Sequence, residues 1–199
     1  MAENPQRRPF KGSCHCGATR YIAFLTFPHN PPQTRKHGEQ SFYRCNCSIC
    51  HKSGFLHARL NSSPDDFLLL SPLDPFQDMG DYQCDEKLLH FFYCRVCATR
   101  CFIFMGEGEL IDVDLAELGL GETGIVKAWR PKKDGWQEGK LKHGCYLSVN
   151  ATSLEPGQEG FDLREWTEKK WTAYLDVLRA GEPGAGLPTY ERPHPGGSY

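Results

Sequence analysis

Seven of the ten cysteines in this sequence of 199 residues lie in three short groups. The groups are Cys14/Cys16, Cys45/Cys47/Cys50 and Cys94/Cys97. Thiolates that share one zinc ion must converge on it at about 2.3 Å, which turns with closely spaced cysteines achieve readily. A Cys-x-Cys pair needs an especially sharp turn, and Gly17 supplies the conformational freedom for it. The spacing therefore indicates metal binding.

The number of ligands in each group predicts two different kinds of site. Cys14/Cys16 and Cys94/Cys97 together offer four thiolates, which make a closed tetrahedral site of the structural type. Cys45/Cys47/Cys50 offers three, so one coordination position stays available to water or substrate, as in catalytic zinc sites. Thiolate ligands favour zinc over magnesium or calcium. We therefore predict two zinc ions per chain.

Other uses of these groups remain open from the residues alone. Three or four cysteines are also enough to hold an iron–sulfur cluster. The middle group becomes a second structural zinc site if His15, His51 or His57 provides a fourth ligand. A redox role for Cys94 and Cys97 would need a βαβ context, which the sequence around them lacks.

Three cysteines lie outside the groups. Cys101 and Cys145 belong to apolar runs, where a thiol behaves as a small buried hydrophobic group. Cys84 lies in the polar segment DYQCDEK and is expected to be the more accessible one.

Composition and charge exclude several classes of protein. The chain has 23 Lys and Arg against 25 Asp and Glu, a net charge of −2, so no basic surface for a nucleic-acid partner is expected. No apolar run approaches the roughly 20 residues of a membrane span, and the N-terminal residues lack the apolar stretch of a secretory signal. We expect a cytoplasmic protein with reduced cysteines and no membrane partner. A homo-oligomer remains compatible with the sequence.

The elements that must position these cysteines are mostly strands. Apolar, β-branched and aromatic runs separated by Gly, Pro and Asp predict a mainly β domain of antiparallel sheets. The predicted strands are 19–27, 67–70, 88–93, 101–105, 110–113, 125–129 and 145–149. Residues 28–41 predict a long loop, and 162–180 predict one C-terminal amphipathic helix that Asp162 caps. A flexible arm (1–8) and a Gly/Pro-rich flexible tail (182–199) flank a single domain at 9–181.

Three cysteine motifs in order give the sequence a specific resemblance. GSCHCGATRY, YRCNCSICHKSG and FYCRVCATRCF resemble the motifs of the glutathione-dependent formaldehyde-activating enzyme family, which also includes centromere protein V. The resemblance covers about residues 9–150 and implies a zinc-bound β-tent fold. It assigns Cys14, Cys16, Cys94 and Cys97 to a structural zinc, and Cys45, Cys47 and Cys50 to a catalytic zinc. The family often has Gly after the third motif, where this chain has Ala98.

The resemblance, together with the open zinc position, implies a zinc-dependent carbon–sulfur lyase. Its substrate would be a thiol, such as glutathione, joined to a small carbonyl compound. His51 and Lys52 directly follow the last ligand and are the nearest candidates for proton transfer. Arg44, Lys52 and Arg59 are candidates to hold the carboxylates of glutathione.

Three alternatives to this function stay open. The chain could be a lyase for a small molecule other than a glutathione adduct. It could instead be a zinc protein that carries or binds thiols without catalysis. In the third alternative both zinc sites are structural, and the tryptophan-bearing helix contacts a partner protein.

Overall fold

The computed structural model describes residues 4–31, 38–139, 144–182 and 188–197. Twelve strands are present in these ranges: β1 Gln6–Ser13, β2 Arg20–Phe27, β3 Ser41–Cys45, β4 Leu56–Arg59, β5 Phe67–Ser71, β6 Gly80–Tyr82, β7 His90–Tyr93, β8 Arg100–Met105, β9 Gly108–Asp114, β10 Ile125–Pro131, β11 Tyr146–Asn150 and β12 Thr172–Leu175. The helices of the same ranges are short: α1 Ser48–Ser53, α2 Ser63–Asp66, α3 Pro75–Asp78 and α4 Leu163–Glu168, with 3-10 turns at Leu115–Leu118 and Ala151–Ser153. The prediction of a mainly β fold is confirmed.

The strands form two sheets. One sheet has the order β1-β2-β5-β10-β9 and is antiparallel throughout. The other has the order β12-β3-β4-β11-β8-β7-β6 and is antiparallel except for the parallel pair of β12 with β3. The cysteine groups follow strands of both sheets, so the sheets fix how the groups meet.

The main core lies between the two sheets. Alternate side chains of β2 and β5, such as Leu25 and Phe67, belong to the same buried cluster as Phe102 and Leu147 of the second sheet. The rings of Phe67 and Phe102 lie 5.0 Å apart, which shows that the sheets are in direct contact. This arrangement follows from the period of two along a strand, since every second residue points into the space between the sheets.

The predicted N-terminal arm is wrong for its described part from Gln6 onward. β1 pairs with β2 along its whole length, from Gln6 opposite Phe27 to Ser13 opposite Arg20. Phe10 is only 1% exposed and packs in the main core. The sequence does not predict this strand, because only one of its faces is buried and the other carries polar residues such as Arg7. Residues 1–3 of the predicted arm lie outside the described ranges.

The predicted helix over 162–180 is wrong beyond its first part. Asp162 does cap a helix, because its side chain accepts a hydrogen bond from the backbone N–H of Arg164. The helix ends at Glu168, Lys170 has a positive φ of 53°, and the chain then enters β12. Tertiary contacts decide the outcome: Trp166 stacks on Phe42 at 3.8 Å, and β12 pairs with β3.

The predicted loop and tail are only partly described. Residues 32–37 of the loop and residues 183–187 and 198–199 of the tail lie outside the described ranges. The loop prediction extended one residue too far, since Ser41 begins β3. The described part of the tail is packed on the domain, where Thr189 and Tyr174 exchange two backbone hydrogen bonds of 2.6 and 3.0 Å.

Candidate metal centres

Two similar turns hold the four cysteines of the first group. Cys14 follows β1 and Cys94 follows β7, so each turn connects the two strands of a hairpin. The backbone N–H of Cys14 donates to the carbonyl of Thr19 at 3.0 Å, and that of Cys94 donates to the carbonyl of Thr99 at 2.9 Å. The same hydrogen bond, five residues apart, closes both turns, although one belongs to each sheet.

Each turn contains one residue with a left-handed backbone. Gly17, three residues after Cys14, has a φ of 76°, and Ala98, four residues after Cys94, has a φ of 60°. Their backbone N–H groups donate to the carbonyls of Cys14 and Cys94, respectively. Glycine adopts this conformation without penalty, whereas a Cβ makes it unfavourable. The left-handed backbone of Ala98 therefore strains its turn.

The four sulfur atoms have the spacing of a tetrahedral metal site. All four lie within 4.8 Å of one another, and Cys16 Sγ is 3.5 Å from Cys14 Sγ and 3.6 Å from Cys94 Sγ. A zinc ion with bonds of 2.3 Å to sulfur requires separations of about 3.8 Å between tetrahedral ligands. The same separations are far longer than a disulfide bond, and all four thiols are free. These residues fit a closed metal site.

The second group is built by a strand and the helix that follows it. Cys45 ends β3, Cys47 is the residue before the first turn of α1, and Cys50 lies within α1. The backbone N–H of His51 donates to the carbonyl of Cys47 at 3.0 Å, which closes the helical turn between the ligands. The three sulfur atoms also lie within 4.8 Å of one another. Among the described residues, this group has three members and not four.

The predicted histidine ligands lie in different places. The side chain of His15 is exposed in the first turn of the four-cysteine group, away from the triplet. The side chain of His51 is exposed on α1. His57 is 3% exposed, and its Nε2 lies 3.2 Å from Cys50 Sγ. It is thus a hydrogen-bond partner of a ligand and not a member of the sulfur cluster.

Ser148 fixes the orientation of that histidine. His57 Nδ1 lies 2.9 Å from the hydroxyl oxygen of Ser148, and the His57 ring stacks on Tyr43 at 4.3 Å with an interplanar angle of 8°. When the serine hydroxyl donates to Nδ1, Nε2 carries the proton and donates to the sulfur of Cys50. Such an arrangement stabilises a thiolate and holds the ligand in place.

Mutual hydrogen bonds give the triplet thiols very different acidities. Donation by the Cys45 and Cys50 thiols lowers the pKa of Cys47 to about 2. The same contacts raise the pKa of Cys45 to about 11 and raise the pKa of Cys50. Cys47 is therefore the most acidic thiol of the triplet. A divalent cation would replace the protons of the less acidic thiols, since metal ligands must be deprotonated.

Hydrogen bonding also divides the acidities in the four-cysteine group. Although burial opposes it, hydrogen bonding with the side chain and backbone of Thr99 lowers the pKa of Cys97 to about 5. The Ala18 backbone favours the thiolate of Cys16, but desolvation and the neighbouring thiols together raise the pKa of Cys16 to about 12. Both groups thus combine acidic and basic thiols around one point, as expected of sites that exchange protons for a cation.

The predicted basic residues around the triplet differ in their surroundings. His51 and Lys52 are exposed on α1 and directly follow Cys50 in the sequence. Arg44 is half-buried on β3. Arg59 is 5% exposed and forms an ion pair with Glu138, while its guanidinium lies 4.0 Å from the centre of the Tyr146 ring. Glu138 therefore already neutralises the charge of Arg59.

The remaining cysteines follow their predictions in part. Cys101 is fully buried, as predicted, and burial raises its pKa. Cys145 is half-buried and not fully buried. Cys84 is also half-buried and packs against the cluster that contains Cys45 and Cys50. It is therefore less accessible than its polar sequence suggested.

Comparisons with known proteins add little to this geometry. No protein-family model matches the sequence, and no curated protein matches it either. One crystal structure, of a Rhodobacter sphaeroides protein solved as a Northeast Structural Genomics target, is similar at 18% identity, with a TM-score of 0.40. The match covers 78% of this chain and 93% of that chain. Within the described ranges, no helix combines the length and apolar character that a membrane crossing requires.

Proposed function

We propose that this protein is a zinc-dependent carbon–sulfur lyase that acts on the adduct of a small-molecule thiol with a carbonyl compound. The observation that carries the proposal is the contrast between the two cysteine groups. Four thiols converge in one group and three in the other. A four-coordinate ion held by Cys45, Cys47 and Cys50 has one position left for a substrate.

The chemistry of the donors supports zinc at both groups. Seven thiols are soft ligands, and the sulfur separations suit tetrahedral coordination. When bound at the triplet, the ion would act as a Lewis acid that stabilises a thiolate or a carbonyl-derived oxygen. At the four-cysteine group it would tie the two sheets together. We assign a catalytic role to the triplet alone.

The reaction needs one bond change and one proton transfer. In the direction of breakdown, the carbon–sulfur bond of a hydroxyalkyl thioether breaks and its electron pair stays on sulfur. The hydroxyl proton leaves oxygen as the carbonyl double bond forms. His51 and Lys52, which are exposed and directly follow Cys50, are the proposed proton carriers. His57 is proposed to hold the Cys50 thiolate through its Nε2–H.

Glutathione is the proposed thiol, on the basis of the resemblance of the three motifs to the formaldehyde-activating family. Arg44 and Lys52 are the proposed contacts for its carboxylates. Arg59 is less suited to that role, since Glu138 already pairs with it. A thiol adduct without glutathione would use the same open position and fewer of these cations.

The structure bears on the scaffold alternative and not on the thiol carrier. A thiol carrier would share the open triplet site and differ only in the absence of rate enhancement. The scaffold hypothesis relied on tryptophans presented by a long helix. That helix ends at Glu168, and Trp166 and Trp171 are 1% and 7% exposed. The tryptophans therefore belong to the interior and do not form a partner surface.

Metal content and exchange kinetics test the proposal together. We expect two zinc ions per chain, of which mild chelation removes one first while the fold persists. NMR exchange spectroscopy of glutathione with formaldehyde should then show faster adduct formation and breakdown with the intact protein. Cys47→Ser should abolish the acceleration, and Cys84→Ser should retain it as a control for cysteine loss. Binding of the thiol without acceleration would favour the carrier, and the absence of a second metal would refute the proposal.

A further inference from the structure

The residue between two triplet ligands is fully engaged with the C-terminal part of the chain. Asn46 separates Cys45 from Cys47 and is 3% exposed. Its Oδ1 accepts hydrogen bonds from the backbone N–H groups of Val177 at 2.7 Å and Leu178 at 3.2 Å. An asparagine side chain offers two donors and one accepting oxygen, so few of its polar groups remain for any other partner.

The side-chain NH₂ group of Asn46 also makes hydrogen bonds with the C-terminal part of the chain, and together these contacts form the Asn46 network. Its Nδ2 donates to Asp176 Oδ1 at 2.8 Å and to the carbonyl of Pro195 at 3.3 Å. These hydrogen-bond partners of the Asn46 side chain all come from the C-terminal part of the chain, 130 to 149 residues away. In a local turn, such a side chain would form its hydrogen bonds with residues a few positions away. The conformation of this loop is instead fixed by hydrogen bonds to a segment that is distant in the sequence.

Asp176 places a buried carboxylate beside the Asn46 side chain. Its side chain is 2% exposed, and its Oδ2 accepts a hydrogen bond from Arg179 Nε at 2.6 Å. The hydrogen bonds from Asn46 and Arg179 lower the pKa of Asp176. His194 Nδ1 lies 3.8 Å from the same oxygen. Because a buried carboxylate is unfavourable unless it is paired, these contacts fix the position of Asp176.

The backbone pairing of β12 with β3 ends next to the hydrogen bonds of the Asn46 side chain. β12 runs parallel to β3, with Leu175 opposite Cys45, and the backbone N–H of Asn46 donates to the carbonyl of Leu175 at 3.2 Å. β12, the last strand of the described residues, therefore extends to the first ligand of the triplet. The Asn46 side chain then continues the contact past the end of the strand.

We infer that Asn46 and Asp176 are positioning residues that hold Cys45 and Cys47 in the conformation needed to bind the second metal ion. The inference rests on the proposed metal site at the triplet, but it does not depend on the reaction catalysed there. Residues that orient ligands typically change metal affinity by about 10- to 100-fold when they are replaced. The four-cysteine group lies on other turns and makes none of these contacts, so its affinity should be independent of them.

The test uses the four-cysteine group as an internal reference. Asn46→Ala and Asp176→Ala are compared with the wild type by chelator competition and by the thiolate-to-cobalt absorption of the cobalt-loaded protein. Cys47→Ser assigns the signals of the triplet. We expect affinity at the triplet to fall by about 10- to 100-fold, with the four-cysteine group unchanged.

Two further variants separate positioning from general packing. Asp176→Asn keeps an oxygen that accepts from Asn46 Nδ2, so it should restore much of the affinity that Asp176→Ala loses. Glu182→Gln is the matched control, because Glu182 contacts Arg179 on the exposed side, with an N···O distance of 3.7 Å. It should leave both sites unchanged.

The outcomes distinguish this inference from the proposed function. Unchanged affinity at the triplet in both alanine variants would overturn the inference alone, and so would an equal loss at both groups. A wild-type protein that binds a single ion would overturn both. A selective loss of affinity in a protein without lyase activity would support the positioning role and refute the proposed reaction.

Discussion

Removing one ligand from each cysteine group should destabilise the protein to very different extents. Cys94→Ser weakens the site that connects the β1–β2 turn to the β7–β8 turn, in which Cys16 and Cys94 are 78 residues apart. Cys47→Ser weakens a site whose ligands span only residues 45–50. The ion in the first site therefore closes a long loop, whereas the ion in the second closes a short one.

The loop lengths give the expected difference. Treating each ion as a cross-link, closure of a loop of about 80 residues restricts the unfolded chain by about 4.5 kcal/mol. Closure over about five residues gives about 2 kcal/mol by the same relation. We therefore expect the free energy of unfolding to fall by about 2 to 3 kcal/mol more in Cys94→Ser than in Cys47→Ser. Since small domains are stable by about 5 to 15 kcal/mol, Cys94→Ser should lose between about a third and nearly all of the free energy of unfolding.

Urea denaturation of the zinc-loaded proteins measures this difference directly. Cys145→Ser serves as the control, because Cys145 is half-buried and belongs to neither group. Zinc content is measured in parallel, so that each loss of stability is matched to the loss of one ion. If Cys94→Ser and Cys47→Ser reduced stability equally, the assignment of the long-range link to the four-cysteine group would be refuted.

Two further predictions concern single side chains. Ala98→Gly should raise the free energy of unfolding by about 1 kcal/mol, because Ala98 has a φ of 60° that glycine adopts without strain; an equal or lower urea midpoint would contradict this. Burial lowers the pKa of His29 to about 4, below the usual 6.5 of a histidine, so the unfolded state binds the proton more tightly and stability falls as the pH drops from about 6.5 through 4. This histidine should account for about 3 kcal/mol of the acid destabilisation. His29→Asn should show a correspondingly flatter decrease across that window, and identical pH profiles would rule out His29 as the cause.

Much of the sheet structure was predictable because the signal was local. β8 is a continuous apolar run and is buried at both faces, so its composition alone identifies it. β1 escaped prediction because most of its side chains are polar, and its pairing with β2 becomes evident only in three dimensions. Residues 166–175 satisfied a helical period. The pairing of β12 with β3 decided their structure. The hydrophobic pattern of one segment does not indicate which distant strand it will pair with.

The cysteine groups were predictable because their ligands lie close together in the sequence. The hydrogen bonds between Asn46 and Asp176 were not predictable, because these residues lie 130 positions apart. Ligands spaced two or three residues apart reveal a site within one turn, and their division into four and three required only counting. His57 was considered as a ligand, but its distance to Cys50 and its contact with Ser148 place it beside the cluster. Asn46 offered one clue, its place between two ligands. Nothing in the sequence around Asp176 indicated its contact with that loop.

The parallel pairing of β12 with β3 also has a consequence for the order in which the two sites mature on the ribosome. All four cysteines of the first group have been synthesised once residue 97 emerges, and both of its hairpins are complete by residue 105. The triplet ligands emerge earlier, yet Leu175 and Asp176, which brace their loop, emerge about 130 residues later. If the four-cysteine group holds an ion, a nascent chain can bind that ion well before the loop of the triplet is set in place. An interrupted translation product would then carry a complete first group together with a triplet that lacks its contacts to Leu175 and Asp176.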